Sequence, residues 1–381
     1  MKIPFAILGV VLILIILGDA FETIVLPRRV TRRIRLARLF FRCTWLPWSA
    51  LARLIPSGKR QETYLSFYGP LSLLLLLTVW ATGLVVGFAL LHWAVSPGVI
   101  AAGGTAGFST DLYLSATTFF TLGLGDVTPR TSLTRGLVAV EAGIGFGFLA
   151  LVIGYLPALN QSFSRREANI SLLDARAGSP PTAAEMLRRH SHDQGMMALR
   201  ELLHDWERWS AELLESHLSY PVLAYFRSQH DNQSWLGALT AILDTCALII
   251  AGMEGLCERQ AELTFAIARH AVVDLSIIFR QSPREPEKDR LPPRQWPYLR
   301  AALASSGLRL REERDLDQKL IELRHMYEPY VHSLSHHLKI TIPPWIPEAS
   351  STDNWQTSAW GAISSLQRGA PLERGKKEEH F

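Results

Sequence analysis

Leu71–Leu91 runs for 21 residues without a single charged side chain. About 20 apolar residues in a helix are what it takes to cross a bilayer core ~30 Å thick, so this run sets the class of the chain before anything else is read. Gly136–Leu159 meets the same requirement with one acid, Glu141. Ile3–Leu26 is the third candidate, apolar through Leu17 and then carrying Asp19 and Glu22. A cleaved signal peptide competes for this first segment. Only Met-Lys precedes it, Pro27-Arg28-Arg29 follows it, and no small-x-small cleavage pattern comes after the apolar run, so a retained span is the better reading.

The basic residues orient the three spans. Between the first and second lie Arg28, Arg29, Arg32, Arg33, Arg35, Arg38, Arg42, Arg53, Lys59 and Arg60 with no acid among them, and Arg165 and Arg166 follow the third. The segment between the second and third holds Arg130 and Arg135 against Asp111 and Asp126. Positively charged loops stay cytoplasmic. The expected order is N-terminus outside, basic segment inside, Ser96–Arg135 outside and the C-terminal half inside, in a multi-pass protein of the cell membrane. Val30, Ile34, Phe41 and Trp45 recur at helical spacing among the arginines, which predicts a helix lying along the inner surface with its cations near anionic lipid. A solvated basic linker is the alternative. Net charge is only +4; its placement carries the information.

The outer segment is the most informative. Ser109, Thr110 and Asp111 are good N-cap types and lead a ten-residue helical pattern to Phe120, after which come Thr121-Leu-Gly-Leu-Gly-Asp126 and Val127-Thr-Pro129. Ten helical residues rise ~15 Å, half the bilayer core, and five extended residues at ~3.3 Å each return nearly the same distance. The pattern fits a loop that dips into the membrane and comes back to the same side. Bare carbonyls at that depth are tolerated only if buried in protein or lining a water-filled path. To aim successive carbonyls one way, alternate residues must turn left-handed, which Gly123 and Gly125 do without a Cβ clash. A column of oxygens from Thr121, Leu122, Gly123 and Leu124 would then replace the water shell of a cation, and the C-terminal end of the preceding helix would favour that cation in the membrane centre.

Thr-Leu-Gly-Leu-Gly-Asp, led by an amphipathic helix and followed by Val-Thr-Pro, resembles the pore loop of potassium channels, whose usual filter reads Thr-Val-Gly-Tyr-Gly-Asp. The resemblance covers about 65–159: outer helix, pore helix, filter and inner helix. It implies an all-α membrane protein in which Thr121, Leu122, Gly123, Leu124 and Gly125 form the filter, with K+ at Thr121, Leu122, Gly123 and Leu124, and in which Asp126 holds the filter from just outside. Two positions depart from the pattern. Leu122 stands for Val, a mild change. Leu124 stands for Tyr and removes a phenol that anchors the filter from behind, as also happens in the second pore loop of two-pore-domain potassium channels; Phe119 and Phe120 are the residues placed to supply the missing packing. One chain carries one such loop, and the Gly-rich 101–107 stretch has neither the acid nor the preceding helix of a second copy, so a closed ring needs four chains, a homotetramer.

Gly143, Gly145 and Gly147 lie in mid-span and resemble the gating hinge of channel inner helices; close helix packing through small residues explains the same pattern. Pro157 is placed to kink the helix, and Ile153 and Leu156 to form a hydrophobic constriction. Glu141 is an intramembrane acid and so a functional candidate, either bracing the filter, facing the ion path, or serving as a neutral hydrogen-bonded structural carboxyl. Asp19 and Glu22 share a helix face and are expected to pair with Arg28, Arg29 or a neighbouring span. No span carries arginines at every third position, which argues against voltage sensing.

The chain changes character after about residue 160. Ser179-Pro-Pro181 breaks it, Thr182–Glu185 reads as a capping box, and Leu199, Leu202, Trp206, Trp209 and Leu213 repeat at helical spacing. Trp235–Phe279 is apolar enough to pass for a fourth span, yet it holds Asp244 and then a run of charges from Glu254 onward; a buried core helix of a soluble bundle fits better. Leu310–Leu338 predicts another helix, and the stretch from about Pro347 has little to bury. The resulting plan is an N-terminal transmembrane helix (1–27), a basic cytoplasmic or interfacial segment (28–64), a pore domain (65–160), a cytoplasmic helical domain (161–346) whose ligand or partner is unknown, and a disordered tail (347–381).

Eleven of twelve histidines fall in the C-terminal half. His332, His336 and His337 form a candidate metal pair or pH sensor, against the commoner reading of solvated helix residues. The three cysteines, Cys43, Cys246 and Cys257, make no C-x-x-C pair and support neither a disulfide framework nor a thiolate metal site; Cys43, near a membrane face, is a candidate for acylation. No Gly-rich nucleotide loop, nucleophile–base pair or basic–aromatic nucleic-acid module is visible, so neither an enzyme, a cofactor nor a nucleic-acid partner is expected beyond K+ as permeant ion. Passive potassium conduction is the leading expectation. A channel that also passes sodium, given Leu124, and a non-conducting membrane scaffold or sensor are the rivals.

Overall fold

A computed structural model describes residues 2–26, 35–95, 99–101, 107–191, 195–229, 232–253, 257–286, 288–308 and 314–347. Arg28, Arg29, Arg32, Arg33, Val30, Ile34 and Glu254, and the tail from 348 onward, lie outside the described residues. The chain is predominantly helical and forms two compact units: 1–164 with 216–227, and 165–215 with 228–381.

In the first unit, α1 (Ile3–Ala20) packs along α4 (Tyr68–Ala94). Their backbones approach closely because neither Gly9 nor Gly87 has a side chain in the way; a Cβ on Gly9 would sit 2.7 Å from the Gly87 carbonyl oxygen. Asp19 ends α1 in a buried position, where its carboxylate accepts from Trp80 Nε1 and from the Ala37 amide, both at 3.0 Å. The second of these ties down the start of α2 (Leu36–Ala52). Glu22 lies 3.6 Å from Arg35. The acids expected to meet Arg28, Arg29 or a neighbouring span are thus met by α4, the α2 amide and Arg35. Trp45 of α2 is buried, whereas Leu39, Leu46 and Leu51 of the same helix are exposed. Next come α3 (Lys59–Ser66), β1 (Val99–Ala101), α5 (Phe108–Phe119), β2 (Val127–Pro129) and α6 (Ser132–Ala177). The two strands pair antiparallel, with Ile100 opposite Thr128, a small departure from a purely helical expectation.

The helix that contains the third predicted span does not stop at Leu159. The span is the first half of the 46-residue α6, which passes through Pro157 without a break. Good helix formers between Arg165 and Ala177 carry the helix on past the apolar run. Residues 216–227 were not expected near the apolar helices, yet they belong to the first unit. Val222 and Leu223 are buried with Leu73 of α4 and with Tyr155 and Leu159 of α6. Tyr220 meets Tyr155 at 5.4 Å between ring centroids, Tyr225 meets Trp45 at 4.9 Å and Tyr68 at 5.1 Å, and Phe226 rests on Gly69.

The second unit is a helical bundle around α9 (Trp235–Gly252), with α7 (Ala183–Arg189), α8 (Gly195–Ser219), α10 (Glu258–Ile278), α11 (Trp296–Ala304), α12 (Arg314–His325) and α13 (Glu328–Leu338). Among the described residues, four helices are long and apolar enough to cross a membrane by composition. Of these, α9 is 89% buried within its own chain, whereas an 18-residue apolar stretch of α6 is only 11% buried, so α9 serves as a core helix. The Thr182 hydroxyl accepts from the Glu185 amide at 3.3 Å as the capping pattern predicts, while the Glu185 carboxylate turns to Arg188 and Arg189. Burial alone would raise that carboxyl; the two guanidiniums reverse the effect and hold it below its ordinary range. Leu199, Leu202, Trp206, Trp209 and Leu213 are all buried. The predicted 310–338 helix is two, α12 and α13, separated at Met326–Tyr327, with Pro329 in the first turn of the second.

Asp244 sits at the middle of α9 with no exposure. Arg290 grips it with both guanidinium nitrogens, at 3.1 and 2.5 Å, and reaches Glu328 at 3.0 Å and the Pro343 carbonyl at 2.8 Å. Tyr327 donates to Asp244 at 2.5 Å, and Arg324 pairs with Glu328 and Asp289. The guanidinium carbons of Arg290 and Arg324 lie 5.7 and 5.5 Å from the ring centroid of buried Trp345.

No group of three or more metal-type ligands occurs among the described residues, the C-terminal histidines included. His337 packs against Phe279. Burial, aided by His336 and Lys339, pushes its imidazole from 6.5 down to about 4. The unfolded chain takes up a proton at His337 from about pH 6.5 downward, and the folded unit does so only near pH 4; stability is therefore complete above this window and falls as pH drops through it. The whole window is worth about 3 kcal/mol. In His337→Gln the slope of stability against pH across this range should flatten, as read by tryptophan-fluorescence unfolding of the full chain. An unchanged slope would contradict the assignment.

Candidate functional site

The candidate site begins where α5 ends. Gly107 is the N-cap of α5, and the Thr110 hydroxyl reaches back to its amide at 3.5 Å. The helix starts three residues before the stretch read from the sequence, with Gly107 in an extended cap conformation and the Thr110 hydroxyl accepting from its amide. At the other end the Thr117 carbonyl accepts from the Leu122 amide at 2.7 Å, and the Thr118 carbonyl from Thr121 at 3.0 Å. These bonds fasten the first loop residues to the helix.

The backbone then alternates. Thr121, Gly123 and Gly125 have φ of +58°, +57° and +80°. A β-branched residue at positive φ is a genuine outlier, so Thr121 is held there by its surroundings; the two glycines adopt the same half of the map at no steric cost. Residues 120–126 are exposed in the single chain, with Leu122 and Leu124 at 62 and 64%. The Tyr113 hydroxyl, from α5, donates to the Asp126 carboxylate. Phe119 is buried against Phe148 of α6, and Phe120 is exposed.

Gly145 is pressed against the end of α5: a Cβ there would fall 2.1 Å from the Phe119 carbonyl oxygen, whereas nothing lies within 4 Å of one on Gly143 or Gly147. The close-packing reading of the glycine cluster therefore has a definite contact at Gly145, and α6 runs unbroken through all three. Glu141 is fully buried, one turn before Gly145. Its Oε2 lies 3.0 Å from His92 Nε2 on α4, and its Oε1 is in hydrogen-bond contact with the Ser115 hydroxyl on α5. Ser115 Oγ in turn lies 2.7 Å from the Val85 carbonyl oxygen. His92, Ser115 and Tyr113 were not singled out from the sequence. His92 carries a usable signal, as the one histidine before residue 160, set in an apolar helix where a polar residue calls for a partner.

Two long apolar helices thus flank a half-length helix and an exposed loop of left-turning residues. Residues 74–161 match the ion channel family. That stretch contains most of α4, all of α5 and the loop, and the apolar half of α6. No curated protein and no solved structure matches the chain. The segment that matches the ion channel family and the apolar helices indicate a membrane protein.

Proposed function

We propose that this chain is one subunit of a tetrameric potassium channel, conducting passively through a filter made of residues 121–126. The observation that carries the proposal is the alternation of positive φ at Thr121, Gly123 and Gly125 within the segment that matches the ion channel family. Such a backbone can line a path with the carbonyls of Thr121, Leu122, Gly123 and Leu124, which take the place of the ion's water shell. Asp126, held by Tyr113, fixes the outer end.

Four copies are needed to close the ring. Val140, Phe146, Leu149 and Ile153 of α6 are exposed large apolar residues, and the same chain also leaves the loop itself uncovered. Lipid could cover the apolar side chains but not the loop carbonyls, so neighbouring copies are the covering that suits both. In the bilayer the N-terminus is outside, the C-terminal unit is cytoplasmic, and α2 lies along the inner surface with Arg38 and Arg42 toward anionic lipid and Leu39 and Leu46 toward acyl chains. The C-terminal unit assembles or gates the pore.

Planar-bilayer recording of the purified chain in potassium and sodium gradients tests this. A reversal potential that follows potassium alone is expected. One that follows both ions means Leu124 has relaxed selectivity, and silence under all voltages leaves a membrane scaffold.

A further inference from the structure

His92, Ser115 and Glu141 are each fully buried, and they come from three different helices, α4, α5 and α6. Their protons can be counted. A serine hydroxyl has one hydrogen, and a carbonyl oxygen can only accept. Ser115 Oγ lies 2.7 Å from the Val85 carbonyl, so its hydrogen points there; otherwise two sets of lone pairs would face each other at bonding distance. The contact between Ser115 Oγ and Glu141 Oε1 then needs a hydrogen from Glu141. At the other carboxyl oxygen, His92 Nε2 donates across 3.0 Å. That leaves His92 Nδ1, which has no partner among the described residues. In a neutral ring it carries only a lone pair. In an imidazolium it would be a buried, unsatisfied charged N–H, the costlier group to strand. Among the described residues, the other charged group that acts on this cluster is Asp111, one turn before Ser115 on α5, which interacts with His92 and is itself influenced by Lys2.

We infer that Glu141 is held as a neutral carboxylic acid and is a positioning residue: it donates to Ser115, accepts from His92 and so bolts α5 to the helices on either side. Ser115 lies six residues before Thr121, ~9 Å along the helix axis, so the bolt sets the height at which α5 delivers the loop. The inference rests on the conduction reading above for its consequence, but not for its proton count.

The test compares Glu141→Gln with Glu141→Ala in the full chain, by bilayer recording and by infrared spectroscopy of the carboxyl stretch. The amide of Gln donates through nitrogen and accepts through oxygen, the same inventory as the acid, and cannot ionise. Glu141→Gln should keep potassium current within about twofold of the parent, while Glu141→Ala loses at least about tenfold with the oligomer intact on native gels. The parent should show a protonated-carboxyl band at neutral pH that Glu141→Gln lacks. Equal loss in both variants with the oligomer intact overturns the inference, and so does a parent without the band, whether or not either variant folds. A parent that shows the band yet never conducts upholds the neutral acid and counts against the channel reading instead.

Discussion

Gly123→Ala should abolish potassium current while the oligomer still assembles. Nothing lies within 4 Å of a Cβ built on Gly123, so the substitution meets no steric obstacle that would unfold the chain. Its effect is on the backbone: φ is +57°, where an L-residue costs roughly 1–2 kcal/mol. Multiplied over the four subunits of the proposed channel, that is enough to turn the carbonyls away from its path. Current recorded alongside native-gel or light-scattering mass separates the two halves of the prediction. Normal conduction in Gly123→Ala would rule out the loop as the filter.

Arg290→Met should destabilise the C-terminal unit by about 3–5 kcal/mol, the range for breaking a buried ion pair from one side. The guanidinium satisfies Asp244 with two bonds and also Glu328 and the Pro343 carbonyl. Burial raises the Asp244 carboxyl; Arg290 and the Tyr327 hydroxyl counter that rise without cancelling it. Without Arg290 the acid is left deeper in that predicament. The double variant Arg290→Met with Asp244→Leu should recover most of the loss, because two apolar side chains replace the pair. Denaturant unfolding of the full chain measures both, and a double variant as weak as the single one would show that the network acts through Glu328 rather than Asp244.

What the sequence made legible follows from how strongly each feature is written in composition. Apolar runs without charge, as in Leu71–Leu91, leave little choice of environment. Asp244 and the charges that follow it pointed to a core helix over Trp235–Gly252, in keeping with its burial by its own chain. The left-handed turns at Gly123 and Gly125 were readable because alternate glycines take them without steric cost. The residues around them were not. Tyr113 and Ser115 look like ordinary members of a short helix, and their roles depend on Asp126 and Glu141, 13 and 26 residues away. The continuation of α6 beyond the apolar run was not legible, because hydropathy falls after Leu159 while helix propensity does not. Residues 216–227 gave no signal at all: Tyr220-Pro-Val-Leu-Ala-Tyr-Phe reads as an apolar connector, and only tertiary structure says what it packs on.

That connector has a practical consequence. A chain cut after Ser164 would keep every apolar helix of the first unit, yet lose the plug formed by Val222 and Leu223 against Leu73, Tyr155 and Leu159. The stump would carry a raw greasy slot, and its currents, aggregation or silence would reflect that wound rather than the behaviour of an isolated pore. Since residues 216–227 belong to the first unit and the chain on either side of them to the second, no single cut separates the two.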